Sequence, residues 1–409
     1  MKLLLVVSRN FWPVSAGHEY MVHKYCEKLH SKYGVDISVV SLDSNKEEVW
    51  PSFVSKVYFL KKKSNLKFLL SSFKYFLSRK QSLQSILYFN KKSAKELTKI
   101  VDEVKPDSVL IDLVRMSRYA EYIPSNYKLN LYAEDLFSAR YQMMYEKKQY
   151  KNALGQLSTN KFFAILGKIP FLLKTILRKE TIRIRNEERK ASVTFQKAVF
   201  VSSKEANEFN RLFNTDIGVE VTMGYDTAND NYLNYKHSGD KLAIIGNFTY
   251  APNKDSLIYI INEVLPKIKS KFTLDVVGKI EEDTVNELKR DNVNYLGFLD
   301  NTNEALCNAD LFLSPIVYGT GIKTKILQSL SLGIPTITND VGIMNIKYDI
   351  KECLVVENDA EKIAKAVDDL LADEKRRNQM SKKSVDFIKQ NHDWNKIIET
   401  LYQVIGGNK

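Results

Sequence analysis

Short apolar runs alternate along this chain with stretches whose apolar residues recur at helical spacing. The runs predict buried strands and the stretches predict amphipathic helices. Their alternation predicts α/β units around parallel sheets. Leu3–Val7 reads as a first strand, 18–32 as a helix and Val35–Leu42 as a second strand. Further strands are expected at Ser108–Ile111, Leu129–Ala133, Ala198–Val201 and Val219–Met223. Helical spacing also marks 66–77, where Leu66, Leu69, Leu70, Phe73, Phe76 and Leu77 share a face. Phe162–Arg178 is similar, with a Gly-Lys-Ile-Pro break at 167–170.

Residues 224–240 are polar and turn-rich without apolar periodicity, as a linker would be. A second array follows. Strands are expected at Lys241–Gly246, Thr273–Val277, Val293–Tyr295, Leu311–Leu313, Pro335–Thr338 and Cys353–Val356. Helices are expected over 253–268, 283–290 and 301–308, and another from near Ile322. Helices over 360–371, 374–390 and 394–404 end the chain. At 409 residues the chain exceeds one usual core. The expected organisation is a first domain over 1–223, a linker over 224–240, a second domain over 241–390 and a helical segment over 391–409 returning to the first domain. Two doubly wound halves facing across a cleft would hold a ligand at the C-terminal ends of their strands.

Composition adds a compartment and a charge. The three cysteines are scattered, with no CxxC or Cys/His cluster, so neither a disulfide framework nor a zinc site is supported. The opening MKLLLVVSRNFWP is too short an apolar run for a signal-peptide core, and no window approaches a membrane span. A cytoplasmic location is the expectation. The net charge of +12 is localised: 56–100 hold twelve Lys/Arg against one acid, and 146–190 hold twelve against four. Such an excess points to an anionic surface or substrate. No RNA- or DNA-binding motif accompanies it. Docking on anionic lipid fits the two basic aromatic stretches, 61–80 and 161–179. Two core helices with solvated lysine faces fit them equally.

The chemistry concentrates in Gly319–Pro335, GTGIKTKILQSLSLGIP. A glycine turn leads into a helix whose first turn carries Lys323 and Lys325. A helix start exposes unpaired N–H groups and partial positive charge, so cations there oppose the helix unless an anion compensates. That combination suits a diphosphate. An ordinary glycine-initiated core helix fits the same residues. Other strand-end loops carry Gly246 with Tyr250 and Asn253 (Asn253 placed as an N-cap), Gly278-Lys279 and Gly297-Phe298. Together they form a candidate nucleotide rim, although turn chemistry alone would also explain each glycine. Neither GxGxxG nor a P-loop is present. In the first half, the candidate acids and bases at strand ends are His18 and Glu19 beside Gly17, Asp112, and Glu134-Asp135. Asp135 is favoured as a catalytic group, with a helix N-cap as its alternative role.

Three segments of the second half, GNFTYAPNKDSLIYIINEVLPKI, FTLDVVGK and YLGFLDNTNEALCNADLFLSPIVYGTGIKTKILQSLSLGIPTITND, resemble the donor domain of GT-B glycosyltransferases, particularly retaining family 4. The first half shares SRNFWPVSAGHEYMVHKYCEKL, RNEERKASVTFQKAVFVSSKEANEF and MGYD with that family. The resemblance implies that Gly319, Thr320 and Gly321 present backbone donors to a sugar diphosphate. Lys323 or Lys325 neutralises it; residues two apart on a helix point about 200° apart, so one of them reaches. Lys325 holds the family's usual lysine position. Gly297-Phe298 lie near the base, and Gly246, Tyr250 and Asn253 border sugar and phosphates together with Gly278 and Lys279. Gly17 approaches the phosphates from the first domain. Asp135 and His18 are the catalytic expectations.

The family usually has two glutamates eight positions apart around the turn; here those positions are Thr320 and Gln328. A neutral Gln328 would hold a ribose by bonds about half as strong as a carboxylate's. The implied activity is sugar transfer from a nucleotide-diphosphate donor to a glycan or lipid-linked glycan, with retention of configuration, in bacterial surface polysaccharide synthesis. No cofactor or metal is expected, because helix-end N–H groups and lysine can carry the phosphate charge. A peripheral position on the inner face of the membrane is part of the same expectation. A UDP-sugar epimerase of this fold and a non-catalytic, membrane-docked homologue remain as alternatives.

Overall fold

The computed structural model describes every residue except 15–16, 44–48, 63–80, 147–169, 228–238, 300, 320 and 408–409. The expected helix over 66–77, most of the linker, the start of the stretch at 161–179 and Thr320 therefore lie outside the described residues. The chain forms two compact units, one of Met1–Thr222 with Ile397–Lys409 and one of Met223–Lys396.

Unit 1 is built on a seven-stranded sheet: β1 (Lys2–Val7), β2 (Asp36–Ser41), β3 (Val54–Phe59), β4 (Ser108–Asp112), β5 (Lys128–Glu134), β6 (Lys197–Phe200) and β7 (Gly218–Glu220). Its order is β3-β2-β1-β4-β5-β6-β7 and every pairing is parallel. β1 buries Leu3, Leu4, Leu5, Val6 and Val7 in succession, as a strand covered on both faces requires. The sequence pattern missed β3. That edge strand has no fully buried residue, so it carries no apolar run.

The unit 1 helices that position the site are α1 (Gly17–Tyr33), α2 (Leu83–Tyr88), α3 (Phe137–Glu146) and α4 (Pro170–Thr194). The expected break at 167–170 marks a beginning instead. Pro170 is the first residue of α4, where its missing N–H leaves no intrahelical bond unmade.

Unit 2 carries a six-stranded parallel sheet: β8 (Lys241–Ile245), β9 (Thr273–Val277), β10 (Val293–Gly297), β11 (Leu311–Leu313), β12 (Thr336–Thr338) and β13 (Val355–Val356). Its order is β10-β9-β8-β11-β12-β13. One face packs on Leu257, Ile261, Val264 and Val367, the other on Ile326, Leu327, Leu330 and Ile388. Three helices frame the strand ends: α5 (Ala251–Tyr259), α6 (Thr302–Cys307) and α7 (Thr324–Ser331).

Two helix starts differ from expectation. Tyr250 rather than Asn253 caps α5, because Pro252 fits the first turn and draws the start forward. α7 begins at Thr324 rather than near Ile322, because Lys323 is extended, with φ −89° and ψ 93°, and stands as the N-cap. Beyond α5 the helix passes into a π-turn (Ile260–Val264) and a 3-10 turn (Leu265–Lys267), where Pro266 has no N–H to continue the ladder.

Gly224 and Tyr225, read from sequence as linker, are packed within unit 2. A Cβ at Gly224 would lie 2.3 Å from the Trp394 ring, and Tyr225 N–H donates to the His392 carbonyl at 2.9 Å. The last helix, α8 (Trp394–Val404), carries Tyr402 onto unit 1, where it stacks on Tyr33 with ring centroids 4.0 Å apart. Among the described residues no helix is long and apolar enough to cross a membrane.

Candidate active site

Each sheet has a point where its strand order reverses, and open α/β sheets bind ligands outside the strand ends there. In unit 2 that point lies between β8 and β11. The loops meeting there and beside it are the four singled out by sequence. Gly246 N–H donates to Val277 O at 3.0 Å, Gly278 N–H to Gly297 O at 2.7 Å, and Phe248 N–H to Lys279 O at 2.8 Å. These bonds knit the ends of β8, β9 and β10 into one rim. Gly278 has φ 134°, and a Cβ there would lie 1.9 Å from the Gly246 carbonyl oxygen. Only glycine closes that contact.

The loop after β11 is braced before it reaches the glycine bend. Ile316 N–H donates to Asn339 Oδ1 (3.0 Å), Val317 N–H to Ser256 Oγ (3.2 Å), and the Tyr318 hydroxyl to Asp255 (2.6 Å). Gly319 and Gly321 then take φ of 146° and 75°, and nothing lies within 4 Å of where a Gly321 Cβ would be. The bend therefore needs glycine for its backbone path and leaves open space in front. α7 follows, and its N-cap residue, Lys323, makes no side-chain capping bond.

The two lysines separate because Lys323 precedes the helix as its extended N-cap residue, whereas Lys325 lies in the first turn. Lys323 Nζ turns back to Gly321 O at 2.7 Å. Lys325 Nζ crosses the switch point and donates to Asn253 Oδ1 at 3.2 Å. Asn253 in turn donates to Asn247 O at 3.0 Å, which fixes its oxygen toward the lysine. Lys325 is half-buried, and burial pushes its ammonium down to about 8. Tyr250, Phe298 and Val317, one from each of the loops after β8, β10 and β11, are 62%, 73% and 46% exposed. Large apolar groups left exposed around one rim suit a ligand that covers them. Val317 was not flagged by sequence. Gln328 donates its amide to Thr302 Oγ1 (3.0 Å) and Asn303 Oδ1 (2.7 Å) at the start of α6, so its NH2 is engaged within the protein.

In unit 1 the order reverses between β1 and β4. His18, in the first turn of α1 after β1, meets Asp112 at the end of β4 and Glu134 at the end of β5. Its Nε2 lies 3.1 Å from Asp112 Oδ1, and its Nδ1 lies 3.1 Å from Glu134 Oε2. Burial opposes a charge on His18, yet Asp112 and Glu134 outweigh it and raise the imidazole to about 10. Glu134 is held below the usual carboxylate range: burial works against its charge, and His18, Arg140 and Arg115 overcome it.

The backbone at these strand ends is strained. Glu134 has φ 67°, and Leu113, directly after Asp112, has φ 70° with ψ 147°. Both conformations cost a non-glycine residue about 1–3 kcal/mol. Arg115 ties the ends of β1 and β4 together by donating to the buried Ser8 hydroxyl at 3.0 Å.

Of the two expected catalytic residues, Asp135 is 3% exposed and paired with Arg140. The register of β5 against β6 shifts between Tyr132 and Glu134. His18, the other, lies in the cluster with a carboxylate at each ring nitrogen. Gly17, expected in the loop before the first helix, is the first residue of α1 and is exposed. Glu19 instead lies 3.5 Å from Arg9.

Residues 239–373 match the family model described as Glycosyl transferases group 1. The structure superposes on WaaG, a glycosyltransferase involved in lipopolysaccharide biosynthesis, with TM-score 0.63 and 14% identity, covering 99% of this chain and 100% of that one. It superposes on HepE of Anabaena in complex with UDP, with TM-score 0.62 and 12% identity, covering 98% and 99%. This chain has the GT-B fold. A curated Klebsiella pneumoniae relative, an uncharacterized 44.6 kDa protein in the cps region, is 21% identical over 238 residues, 55% of this chain and 60% of that protein. The GT-B resemblance read from sequence thus holds for the fold across the chain, and the family match falls on the half carrying the glycine bend.

Proposed function

We propose that this chain is a glycosyltransferase that takes a sugar from a nucleoside-diphosphate donor held at the strand ends of unit 2. The single observation that carries the reading is Lys325, half-buried at the switch point, bonded to a neutral amide and set beside a helix start whose N-cap residue makes no side-chain capping bond. A diphosphate there would restore the lysine's charge and occupy the open N–H groups. As the sugar–phosphate bond breaks, negative charge grows on the diphosphate, so the same groups stabilise the transition state more than the bound donor. The departing phosphate would help take the acceptor's proton, giving retention, and no metal is needed to carry its charge.

Gly246, Asn253, Gly278, Lys279, Gly319, Thr320 and Gly321 would border the phosphates and sugar, with Tyr250 and Phe298 around the nucleoside. Unit 1 would engage the acceptor. HepE binding UDP, WaaG serving lipopolysaccharide synthesis and the cps-region relative support a nucleotide sugar and a surface glycan, free or lipid-linked. The localised basic excess supports docking on anionic lipid at the inner face of the membrane. One observation favours a second reading, a non-catalytic homologue: the Gln328 amide is already engaged by Thr302 and Asn303. Thermal melting with UDP, GDP and ADP tests the proposal. At least one should raise the melting temperature, and Lys325→Ala should remove that rise. No shift with any of the three would overturn it.

A further inference from the structure

The trio at the switch point of unit 1 has an inside and an outside. Asp112 is 1% exposed at its side chain, His18 9% and Glu134 25%. Asp112 therefore lies behind the imidazole and Glu134 lies on the solvent side. His18 is bonded from behind by Asp112, and its Nδ1 lies 3.1 Å from the more exposed carboxylate of the trio, Glu134. A carboxylate oxygen accepts more than one hydrogen bond, so Glu134 can keep His18 and still take a donor from solution. The conformation that aims it there is a left-handed φ at a non-glycine residue, inside a sheet whose register slips at that residue. Such strain persists where the surroundings over-determine it, and it is found where a side chain must be re-aimed.

The surroundings here are specific. Val201 N–H donates to the Glu134 carbonyl at 2.9 Å, and Leu113 N–H to the Tyr132 carbonyl at 2.7 Å. Tyr132 also packs beside His18, with ring centroids 5.9 Å apart. Arg115 and Arg140 both help keep Glu134 ionised.

We propose that Glu134 is a hydroxyl-binding carboxylate of unit 1, a site for a sugar hydroxyl, with His18 and Asp112 as the positioning residues that hold it. This rests on the glycosyl-transfer reading and names the group that meets the acceptor there. The ligand class follows from the chemistry. An ionised carboxylate only accepts, so it selects O–H donors and repels phosphates and uronates. No covalent step is involved.

The test uses the full chain labelled with [15N]histidine. His18 Nδ1 is followed while methyl glucoside, methyl galactoside, methyl N-acetylglucosaminide and glycerol are each titrated in. At least one glycoside should shift that resonance saturably. Glu134→Gln keeps the shape and should weaken the response roughly tenfold, the difference between a charged and a neutral acceptor. Asp112→Asn should lower the pH at which His18 loses its proton, which a purely structural Asp112 would not do. Should Glu134→Gln upset the fold, Glu134→Asn, which tolerates the left-handed backbone, serves in its place. No response to any probe, or an unchanged response in the Glu134 variant, overturns the proposal. UDP, GDP and ADP are titrated into the same sample with unit 2 amides as the readout. Silence there sinks the transferase reading separately, and the glycoside response at His18 still stands or falls on its own.

Discussion

If Lys325 meets a diphosphate, nucleotide binding must take up a proton. Its ammonium sits at about 8 in the unliganded protein against an ordinary 10.5, because burial is uncompensated by any charged partner. That difference corresponds to at most about 3 kcal/mol. The sign follows directly. The folded value is lowered, so unliganded folding is penalised below pH 8, and stability recovers as pH rises toward the unfolded value. A diphosphate at Lys325 Nζ reverses this by restoring the proton. With a fully protonated complex, binding should take up about half a proton at pH 8 and about 0.9 at pH 9. Affinity should fall about tenfold from pH 7 to pH 9. Calorimetry of UDP binding in buffers of different ionisation enthalpy measures the uptake directly. Lys325→Met should abolish the uptake and flatten the pH dependence. Uptake that persists in Lys325→Met, or that is absent from the wild type above pH 8, would refute the reasoning.

Three further outcomes are expected. Gly278→Ala forces a Cβ against the Gly246 carbonyl at φ 134°, so it should cost at least about 2 kcal/mol in urea unfolding and disorder the rim. Glu188 is pushed up to about 7 by burial, although it accepts the Ser138 N–H at 2.9 Å. A raised carboxyl contributes most below its unfolded value and loses that contribution as pH climbs toward 7. Glu188→Gln should therefore raise the melting temperature more at pH 8 than at pH 5. Leu401 is 0% exposed in the last helix, and Leu401→Ala should destabilise the protein by about 2–5 kcal/mol by chemical denaturation.

Strands buried on both faces were legible in the sequence because burial writes itself as an uninterrupted apolar run, as in β1 and β11. The edge strand β3 was not, because one side of it faces water and its pattern mixes Ser55 and Lys56 with Val57 and Phe59. On the site, glycines were the readable signal. Gly278, Gly319 and Gly321 occupy backbone conformations that other residues resist, so their spacing survives as a motif. Side-chain constellations left no such trace. His18 and Asp112 are 94 residues apart and meet only because β1 and β4 are neighbours at the switch point. The pairing shift of β5 between Tyr132 and Glu134 is likewise nothing that a pattern of adjacent acids can show.

Buried acids were also invisible to charge counting. Glu180 and Glu187 enter the sequence reading only as acids counted within the basic stretch 146–190, yet they accept the N–H groups of Leu83 and Ser82 at the start of α2. These two acids are thus buried as helix caps inside unit 1 and offset little of the exposed basic charge.

The central claim is that a nucleoside diphosphate occupies the bend where β11 turns into α7. A crystal structure of the full chain with UDP, GDP or ADP, whichever raises its melting temperature, tests this most directly. The account predicts phosphate oxygens within hydrogen-bonding distance of the Gly321 backbone and Lys325 Nζ. A nucleotide bound away from that bend, with Lys325 still joined to Asn253 alone, would contradict it.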